Sequence, residues 1–403
     1  MSGSPGDPAR RPGRALILVQ NLTVPFDRRV WLESQALRRA GWQVSVICPT
    51  GPPWTKPYEE LEGIHIYRYP APPPTRGVLT YLWEFAYCWL RTAWLTLRVA
   101  RERGFDVLHA CNPPDTFFAI GAVYKLFGKR FLFDQHDLSP EVYESRFGKR
   151  GFWYAGLRVL EWLTYATADT VIATNQSYRE TAIRRGWVDP RNIFVVRSGP
   201  PLSRFKSLPP DPALKRGRPF LVAYLGVMAP QDGVDFLIRA AAVLIGMRGA
   251  RDVSYTMIGS GDSFDDLVAL TKELGLEDVI AFTGRIPDEE VEAILSTADV
   301  CVGPDPRNPL NDVSTMNKIL EYMAVGRPIV AFDLRETRYS AGDGALYAVP
   351  NEVTDLATKI GALLEDPARR AAMGAYNRER FQKGFAWDYS ELELVKAYDH
   401  VRG

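Results

Sequence analysis

Short apolar runs of three to six residues recur along the 403-residue chain, and most are followed by a polar loop and a segment with helical spacing of its apolar positions. This alternation predicts buried parallel strands joined by helices, a doubly wound α/β arrangement whose ligands collect at the carboxyl ends of the strands. The predicted strands are 15–20, 44–48, 64–69, 107–110, 131–134, 170–173, 193–197, 220–225, 254–258, 279–283, 300–302 and 329–331.

The strands fall into two groups separated by a Pro-rich stretch, 198–219, that shows little periodicity. Such a stretch is typical of a linker. We therefore predict a disordered tail at 1–14, a first lobe at 15–200 and a second lobe at 201–385, with helix from Pro367 onwards.

Composition excludes several classes of protein. The four cysteines are scattered and never form a C-x-x-C pair, which argues against zinc and disulfides and fits a reducing cytoplasm. The first 14 residues lack the apolar core of a signal peptide, and no run of 18 uncharged apolar residues occurs. No nucleic-acid-binding motif is recognisable, and no G-x-G-x-x-G follows the first strand, which disfavours a dinucleotide-binding enzyme.

The net charge of +1 hides an asymmetry. Residues 1–200 hold 26 Lys+Arg against 18 Asp+Glu, whereas the remainder holds 23 against 30. A basic first lobe suits an anionic acceptor or a membrane surface. The aromatic segment 79–100 has two interpretations: a buried amphipathic helix, or a helix that exposes Trp83, Trp89 and Trp94 to a bilayer or a lipid-linked acceptor.

Polar clusters follow two strands of the first lobe. Asp27, Arg28 and Arg29 follow the first strand, where we expect them to contact an acceptor. His136, Asp137 and Glu141 follow the strand at 131–134, and we expect Asp137 and Glu141 also to contact the acceptor. A lone histidine is often structural, but this one lies beside two carboxylates at a strand end, which favours a functional role.

The segment 308–333 combines a polar loop, an amphipathic helix, a Gly-Arg-Pro turn and a strand. Ser314 or Thr315 can cap the helix, whose N-terminus suits a phosphate. Lys318 and Glu321 lie three residues apart on one helical face. They either bind a ligand or are ordinary solvent-exposed side chains of a surface helix. Three other strands of this lobe are followed by glycines, where backbone can approach a nucleotide: Gly226, Gly259, Gly261 and Gly284.

The run S-T-M-N-K-I-L-E-Y-M-A-x-G-R-P-I-V-A at 314–331 resembles the donor-binding segment of the retaining glycosyltransferases of family 4. The resemblance extends over nearly the whole chain and implies the GT-B fold, two Rossmann-like lobes facing across a cleft. It implies that a helix at about 386–403 closes onto the first lobe. It also implies that His136 faces the reacting sugar, and that Ser314, Thr315, Met316, Asn317, Lys318 and Glu321 bind the donor.

Two departures from the family pattern stand out. Glu321 matches the second of two paired glutamates, but the first falls on Val313, so the chain resembles a subset with Ser/Thr and Lys here. The usual G-R-x-x-x-x-K-G pattern after the first strand of the second lobe reads G-V-M-A-P-Q-D-G at 226–233, without either cation. We expect Lys318, Arg285 and the helix start near Thr315 to compensate the diphosphate charge.

Together these features predict an enzyme that moves a sugar from a nucleotide-diphospho-sugar to a hydroxyl acceptor with retention of configuration, in glycan, glycolipid or glycosylated-metabolite biosynthesis. We assign catalytic roles to His136, Glu321 and Lys318, and expect no cofactor, no metal and no nucleic acid. The acceptor is expected to be lipid-linked or a growing glycan, at the inner face of the cell membrane. The rival classes are a GT-B epimerase or hydrolase and a non-catalytic sugar-nucleotide binder.

Overall fold

The computed structural model describes residues 12–72 and 78–403, so most of the predicted tail at 1–14 lies outside the described residues. Arg14 already belongs to the first strand. The chain divides into two compact units, which we call the first and second lobes. The first comprises the residues through Tyr143, Lys149–Val196 and Glu391–Gly403, and the second comprises Glu144–Gly148 and Arg197–Ser390.

The first lobe contains an eight-stranded sheet in the order β3-β4-β2-β1-β5-β6-β7-β8. Every neighbouring pair is parallel except β3 and β4. The strands are β1 (Arg14–Leu18), β2 (Gln43–Pro49), β3 (Tyr58–Leu61), β4 (Ile64–Tyr69), β5 (Val107–Cys111), β6 (Arg130–Gln135), β7 (Thr170–Ala173) and β8 (Ile193–Val195).

Helices follow most of these strands, as the alternation predicts. They are α1 (Arg28–Arg39), α2 (Val78–Glu102), α3 (Phe118–Lys125), α4 (Ser139–Phe147), α5 (Phe152–Thr167) and α6 (Gln176–Gly186). The last helix of the chain, α14 (Trp387–Arg402), packs Tyr398 on Trp42 with ring centroids 4.9 Å apart. Tyr398 also hydrogen-bonds His109 Nδ1 at 2.8 Å, which fixes this helix on the sheet of the first lobe.

The second lobe contains a six-stranded parallel sheet in the order β11-β10-β9-β12-β13-β14. Its strands are β9 (Phe220–Leu225), β10 (Val253–Ile258), β11 (Ile280–Gly284), β12 (Val300–Gly303), β13 (Ile329–Phe332) and β14 (Ala345–Ala348). Its helices are α7 (Val234–Arg248), α8 (Phe264–Glu273), α9 (Asp288–Thr297), α10 (Asn317–Ala324), α11 (Arg335–Ala341), α12 (Val353–Glu365) and α13 (Pro367–Gly384). Apolar clusters cover both faces of this sheet, as expected for buried parallel strands.

Two strands were not predicted. β3 carries two glutamates and is half-exposed at the edge of its sheet, so it lacks an apolar run. β14 consists of Ala-Leu-Tyr-Ala and is held by parallel pairing with β13. The capping prediction for α10 was wrong, because the helix begins at Asn317 and the Ser314 hydroxyl donates back to the Leu310 carbonyl at 2.8 Å.

Over residues 12–72 and 78–403, no helix is both long enough and apolar enough to cross a membrane.

Candidate functional site

In the first lobe, a polar cluster lies at the carboxyl ends of β5 and β6. Asn112 accepts hydrogen bonds through Oδ1 from the backbone N–H groups of His136, at 2.7 Å, and Asp137, at 3.2 Å. Its Nδ2 donates to the Asp137 carbonyl at 2.8 Å and to Asp115 Oδ1 at 3.0 Å. Asn112 therefore fixes the turn that presents His136.

The side chain of His136 is held by a buried carboxylate. Its Nε2 lies 2.5 Å from Asp134 Oδ2. Asp134 also accepts hydrogen bonds from Arg29, through Nη2 at 2.7 Å and through Nε at 3.1 Å. Burial opposes ionisation of Asp134, but Arg29 and His136 keep the pKa of its carboxyl well below the usual range. A proton must lie between two acceptors this close, so we assign one to Nε2, although Arg29 Nε also lies 3.1 Å from that nitrogen. In this tautomer of the neutral ring, Nδ1 carries the lone pair and is available as an acceptor.

Further titratable groups surround this pair. Glu33 is fully buried with Oε1 3.1 Å from Arg29 Nε, and burial together with Asp134 raises the pKa of its carboxyl well above the usual value. His109 Nε2 lies 3.5 Å from Asp134 Oδ2, and burial lowers the pKa of His109.

The same cluster contains a set of metal-ligand types. Glu33, Cys111, Asp134 and His136 offer ligand atoms within 4.8 Å of one another. The Arg29 guanidinium already contacts three of these residues, Glu33, Asp134 and His136, and burial raises the pKa of the Cys111 thiol well above its usual value. A divalent ion would have to displace an arginine that is itself buried, so we do not assign a metal to this set.

The structure separates the predicted acceptor residues. Asp27 caps α1 by accepting from the Val30 N–H at 3.1 Å, Arg28 is exposed, and Arg29 is buried against Asp134. Asp137 is partly buried beside His136, and burial raises the pKa of its carboxyl.

Glu141 is buried and forms a bidentate pair with Arg185, whose Nη1 lies 3.0 Å from Oε2 and whose Nη2 lies 2.5 Å from Oε1. This ion pair links α4 to α6, and at 3% exposure Glu141 is poorly placed to meet a sugar hydroxyl.

In the second lobe, the predicted glycines do come together. Gly226 N–H donates to the Ile258 carbonyl at 3.0 Å, and Gly259 N–H donates to the Gly284 carbonyl at 2.9 Å. Gly259 has φ of +126°, and a Cβ built there would lie 1.9 Å from the Gly226 carbonyl oxygen. A Cβ on Gly261 would likewise lie 2.4 Å from the Met228 carbonyl oxygen, so this edge of the sheet requires residues without side chains.

Lys318 reaches this edge from α10, but it is not a free cation. Its Nζ lies 2.6 Å from Asp305 Oδ1, 3.3 Å from Asp232 Oδ1 and 5.0 Å from the ring centroid of Tyr224. Burial disfavours the charged form of Lys318, yet these carboxylates hold its pKa well above the usual value. Asp232 occupies one of the positions where the family pattern led us to expect a cation, so the surroundings of Lys318 are net acidic.

Glu321 lies one turn further along α10 and is partly buried. Its Oε1 is 3.6 Å from Arg204 Nη1, and Arg204 is anchored by Asp288 at 3.0 and 3.1 Å. Sequence reasoning missed Arg204, because it lies in the Pro-rich segment that resembles a linker. Of the remaining predicted donor residues, Ser314, Thr315 and Met316 are partly buried before α10, whereas Asn317 and Arg285 are exposed.

Two family models match the two lobes. One, described as Glycosyl transferase 4-like domain, matches residues 27–199, and the other, described as Glycosyl transferases group 1, matches residues 219–366. These ranges include both of the strand-end clusters. The chain belongs to the family 4 glycosyltransferases. Its membership of the Ser/Thr-Lys-Glu subset stays a prediction.

Curated relatives of this family 4 chain carry transferase names. It is 29% identical over 247 residues to D-inositol 3-phosphate glycosyltransferase from Nocardia farcinica, a match covering 58% of this chain and 53% of the relative. It is 32% identical over 155 residues to alpha-D-kanosaminyltransferase from Streptomyces kanamyceticus, covering 38% of each chain. The chain spans about half the length of the curated relatives it matches.

Solved structures show the fold. Sucrose-phosphate synthase from Thermosynechococcus elongatus superposes with a TM-score of 0.77 at 23% identity, covering 96% of this chain and 98% of that one. The Anabaena protein HepE, solved in complex with UDP and glucose, superposes with a TM-score of 0.72 at 16% identity, covering 96% and 99%. With its two Rossmann-like lobes, the chain has the GT-B fold, as the resemblance implied.

Proposed function

We propose that this protein transfers a sugar from a nucleotide-diphospho-sugar to a hydroxyl acceptor with retention of anomeric configuration. The observation that carries the proposal is the glycine-lined strand edge of the second lobe, with Lys318 of α10 beside it and Glu321 one turn further along that helix. The family membership and the transferase names of the relatives support the same activity. UDP in the HepE crystals is consistent with a nucleotide-sugar donor.

The donor would bind in the second lobe. Backbone at Gly226, Gly259 and Gly261 allows close approach, and Glu321 can accept hydrogen bonds from ribose or sugar hydroxyls. Lys318 is balanced by Asp232 and Asp305, so it contributes less net charge to the diphosphate than its position in the sequence implies. The positive end of the α10 dipole and the exposed Arg285 supply the rest.

The acceptor would bind in the first lobe near His136. The new bond joins the acceptor oxygen to the anomeric carbon as the bond from that carbon to the phosphate oxygen breaks. The bonding electron pair and the acceptor proton both pass to the leaving diphosphate, on the same face of the sugar. With its Nε2 proton directed at Asp134, His136 can accept a hydrogen bond through Nδ1 from a reacting hydroxyl.

Asp134 then acts as a positioning residue, because it sets the orientation and tautomer of His136 without touching the sugar. This scheme uses no cofactor and requires no metal.

For the acceptor, we propose a lipid-linked or growing-glycan hydroxyl at the cytoplasmic surface of the membrane. The excess of basic residues in the first half of the chain supports this assignment. Trp83 and Trp94 of α2 are 53% and 55% exposed, whereas Trp89 is partly buried and donates to the Thr116 carbonyl. Exposed tryptophans of this kind suit a membrane–water interface.

A second candidate is a protein that binds a sugar nucleotide without turnover. The neutralised Lys318 and the missing arginine–lysine pair favour it, because transfer requires stabilisation of the departing diphosphate.

A ligand screen followed by a turnover assay tests the proposal. The cognate donor at 100 times its Kd adds about 2.7 kcal/mol of stability, which corresponds to a rise in Tm of roughly 5–10 °C for a lobe of this size. Incubation of that donor with and without acceptor then separates the candidates. Acceptor-dependent transfer supports the proposal, a donor changed without acceptor indicates an epimerase or hydrolase, and an intact donor in all acceptor mixtures indicates a binder.

A further inference from the structure

The exposed side of α5 is apolar along its whole length. Its seven exposed residues recur at helical spacing and none is charged: Phe152, Trp153, Ala155, Gly156, Val159, Trp162 and Ala166. The opposite side packs into the lobe and buries Glu161, Thr164 and Tyr165. A surface helix usually presents charged residues to water, so α5 requires an explanation.

Two neighbouring helices repeat this feature. α2 exposes an apolar stripe along one side: Trp83, Ala86, Leu90, Trp94 and Leu97. α3 and the turn after it expose a shorter one: Ala122, Val123, Leu126 and Phe127. Leu126 and Phe127 are 85% and 71% exposed, which is unusual for side chains of their size.

The three helices form one surface. The segment that leads into α3 contacts both of the others, because Trp89 of α2 donates to the Thr116 carbonyl at 3.3 Å and Thr164 of α5 donates to the Asp115 carbonyl at 3.1 Å. α3 also packs directly against α5. We call the exposed sides of α2, α3 and α5 the helical face of the first lobe.

Basic residues accompany this face. Residues 83–103, 118–130 and 149–167 contain ten Lys and Arg against three Asp and Glu. Several of these charges are paired within the lobe: Glu102 accepts from Arg98 at 2.7 Å, Glu161 is buried against Arg158 and Arg185, and Lys125 lies 3.0 Å from Asp169. Pairing cancels the charge of both partners, and the excess that remains on these segments is positive. Lys149 and Arg150 are exposed immediately before α5.

We propose that the helical face docks on the surface of an anionic lipid bilayer. Tryptophan and phenylalanine with flanking Lys and Arg are the composition that enters the interfacial region of such a membrane. A second copy of this chain is a poorer occupant, because pairing two identical faces would bring together two rims of like charge. The contact is peripheral, with α5 and α3 lying in the interface beside α2.

The docking itself is independent of glycosyl transfer. That it brings the first lobe to a lipid-linked acceptor rests on the proposed function.

Vesicle co-sedimentation tests the docking. The full chain is mixed with phosphatidylglycerol-containing or pure phosphatidylcholine vesicles at low and high salt. The double variant W153E/W162E places charges on α5, and the control L392E places one on α14 of the same lobe, where Leu392 is 60% exposed. We expect the wild type to sediment with anionic vesicles at low salt, W153E/W162E to partition at least tenfold less, and L392E to match the wild type.

Three results would overturn the proposal: wild type that stays in the supernatant with anionic vesicles at low salt, W153E/W162E that sediments like wild type, or a wild-type dimer that W153E/W162E dissociates without any vesicle binding. Near-UV circular dichroism checks that the double variant is folded. Acceptor-dependent transfer from the donor, assayed on the same preparations without vesicles, shows separately whether the transferase proposal holds.

Discussion

Replacing Lys318 by methionine removes the ammonium group and keeps most of the side-chain volume. Asp305, 2% exposed, then loses its partner at 2.6 Å, whereas Asp232 keeps a hydrogen bond from the Ala229 N–H at 3.2 Å. Removing one partner of a buried ion pair costs about 3–5 kcal/mol, because the remaining charge stays buried and uncompensated. We therefore expect K318M to lower the free energy of unfolding of the second lobe by about 4 kcal/mol.

Urea denaturation followed by far-ultraviolet circular dichroism measures this loss. A matched control is K383M on α13, where Lys383 pairs with Glu379 and the two side chains are 73% and 63% exposed. An exposed pair of this kind contributes little to stability. Adding D305N to K318M removes the orphaned charge, so the double variant is expected to recover at least about 2 kcal/mol.

The same variants separate a structural lysine from a ligand-binding one. If Lys318 also contacts the donor diphosphate, K318M/D305N will bind a nucleoside diphosphate more weakly than wild type while its affinity for the bare nucleoside is unchanged. A K318M protein within about 1 kcal/mol of wild type would refute the assignment of Lys318 to a buried ion-pair cluster.

Three further predictions concern single residues. Glu321→Ala should weaken donor binding by roughly 1.5–3 kcal/mol in a calorimetric titration, because the donor hydroxyls lose a charged acceptor, and an unchanged affinity would remove Glu321 from the site. In ¹⁵N-histidine NMR spectra, the His136 signals are identified as those missing from H136Q. At a pH where the ring is neutral, we expect the proton of His136 on Nε2, and Asp134→Asn should reduce that preference. A proton on Nδ1 in the wild type would contradict the assignment. Burial raises the pKa of Asp115 to about 6, so the contribution of the protonated carboxyl to stability is complete below about pH 4 and is lost as pH rises through 6. Asp115→Asn should therefore remove roughly 3 kcal/mol from the pH dependence of the free energy of unfolding. An unaltered pH profile in urea denaturation would refute this prediction.

Strand positions were the most predictable feature. The strands at Ile64–Tyr69, Thr170–Ala173 and Phe220–Leu225 have the predicted bounds, because each is a β-branched or aromatic run ended by a turn or loop. The glycines at the strand ends were predictable for the same reason, because their place in the sheet depends only on where each strand ends.

The partners of the polar residues were not predictable. Arg29 and Asp134 are separated by 105 residues, and only the sheet order brings β6 close to the start of α1. Lys318 was expected to be free because neither Asp305 nor Asp232 is near it in the sequence. Glu141 was predicted to contact the acceptor, because the sequence does not show that α6 places Arg185 against its carboxylate.

The exposed side of α5 could not be predicted from the sequence either. Phe152–Thr167 is apolar on nearly all sides, a pattern typical of a buried helix. Which side the sheet leaves uncovered is decided by tertiary packing, so the helical face emerges only from the fold.

The central claim, transfer of a sugar with retention, is tested most directly by the anomeric configuration of the product. The donor found by the ligand screen is incubated with the protein and a hydroxyl acceptor, and the anomeric proton of the new glycoside is read by NMR. We expect an acceptor-dependent product with the donor's own anomeric configuration. An inverted product, or a donor that changes equally with and without acceptor, would contradict it.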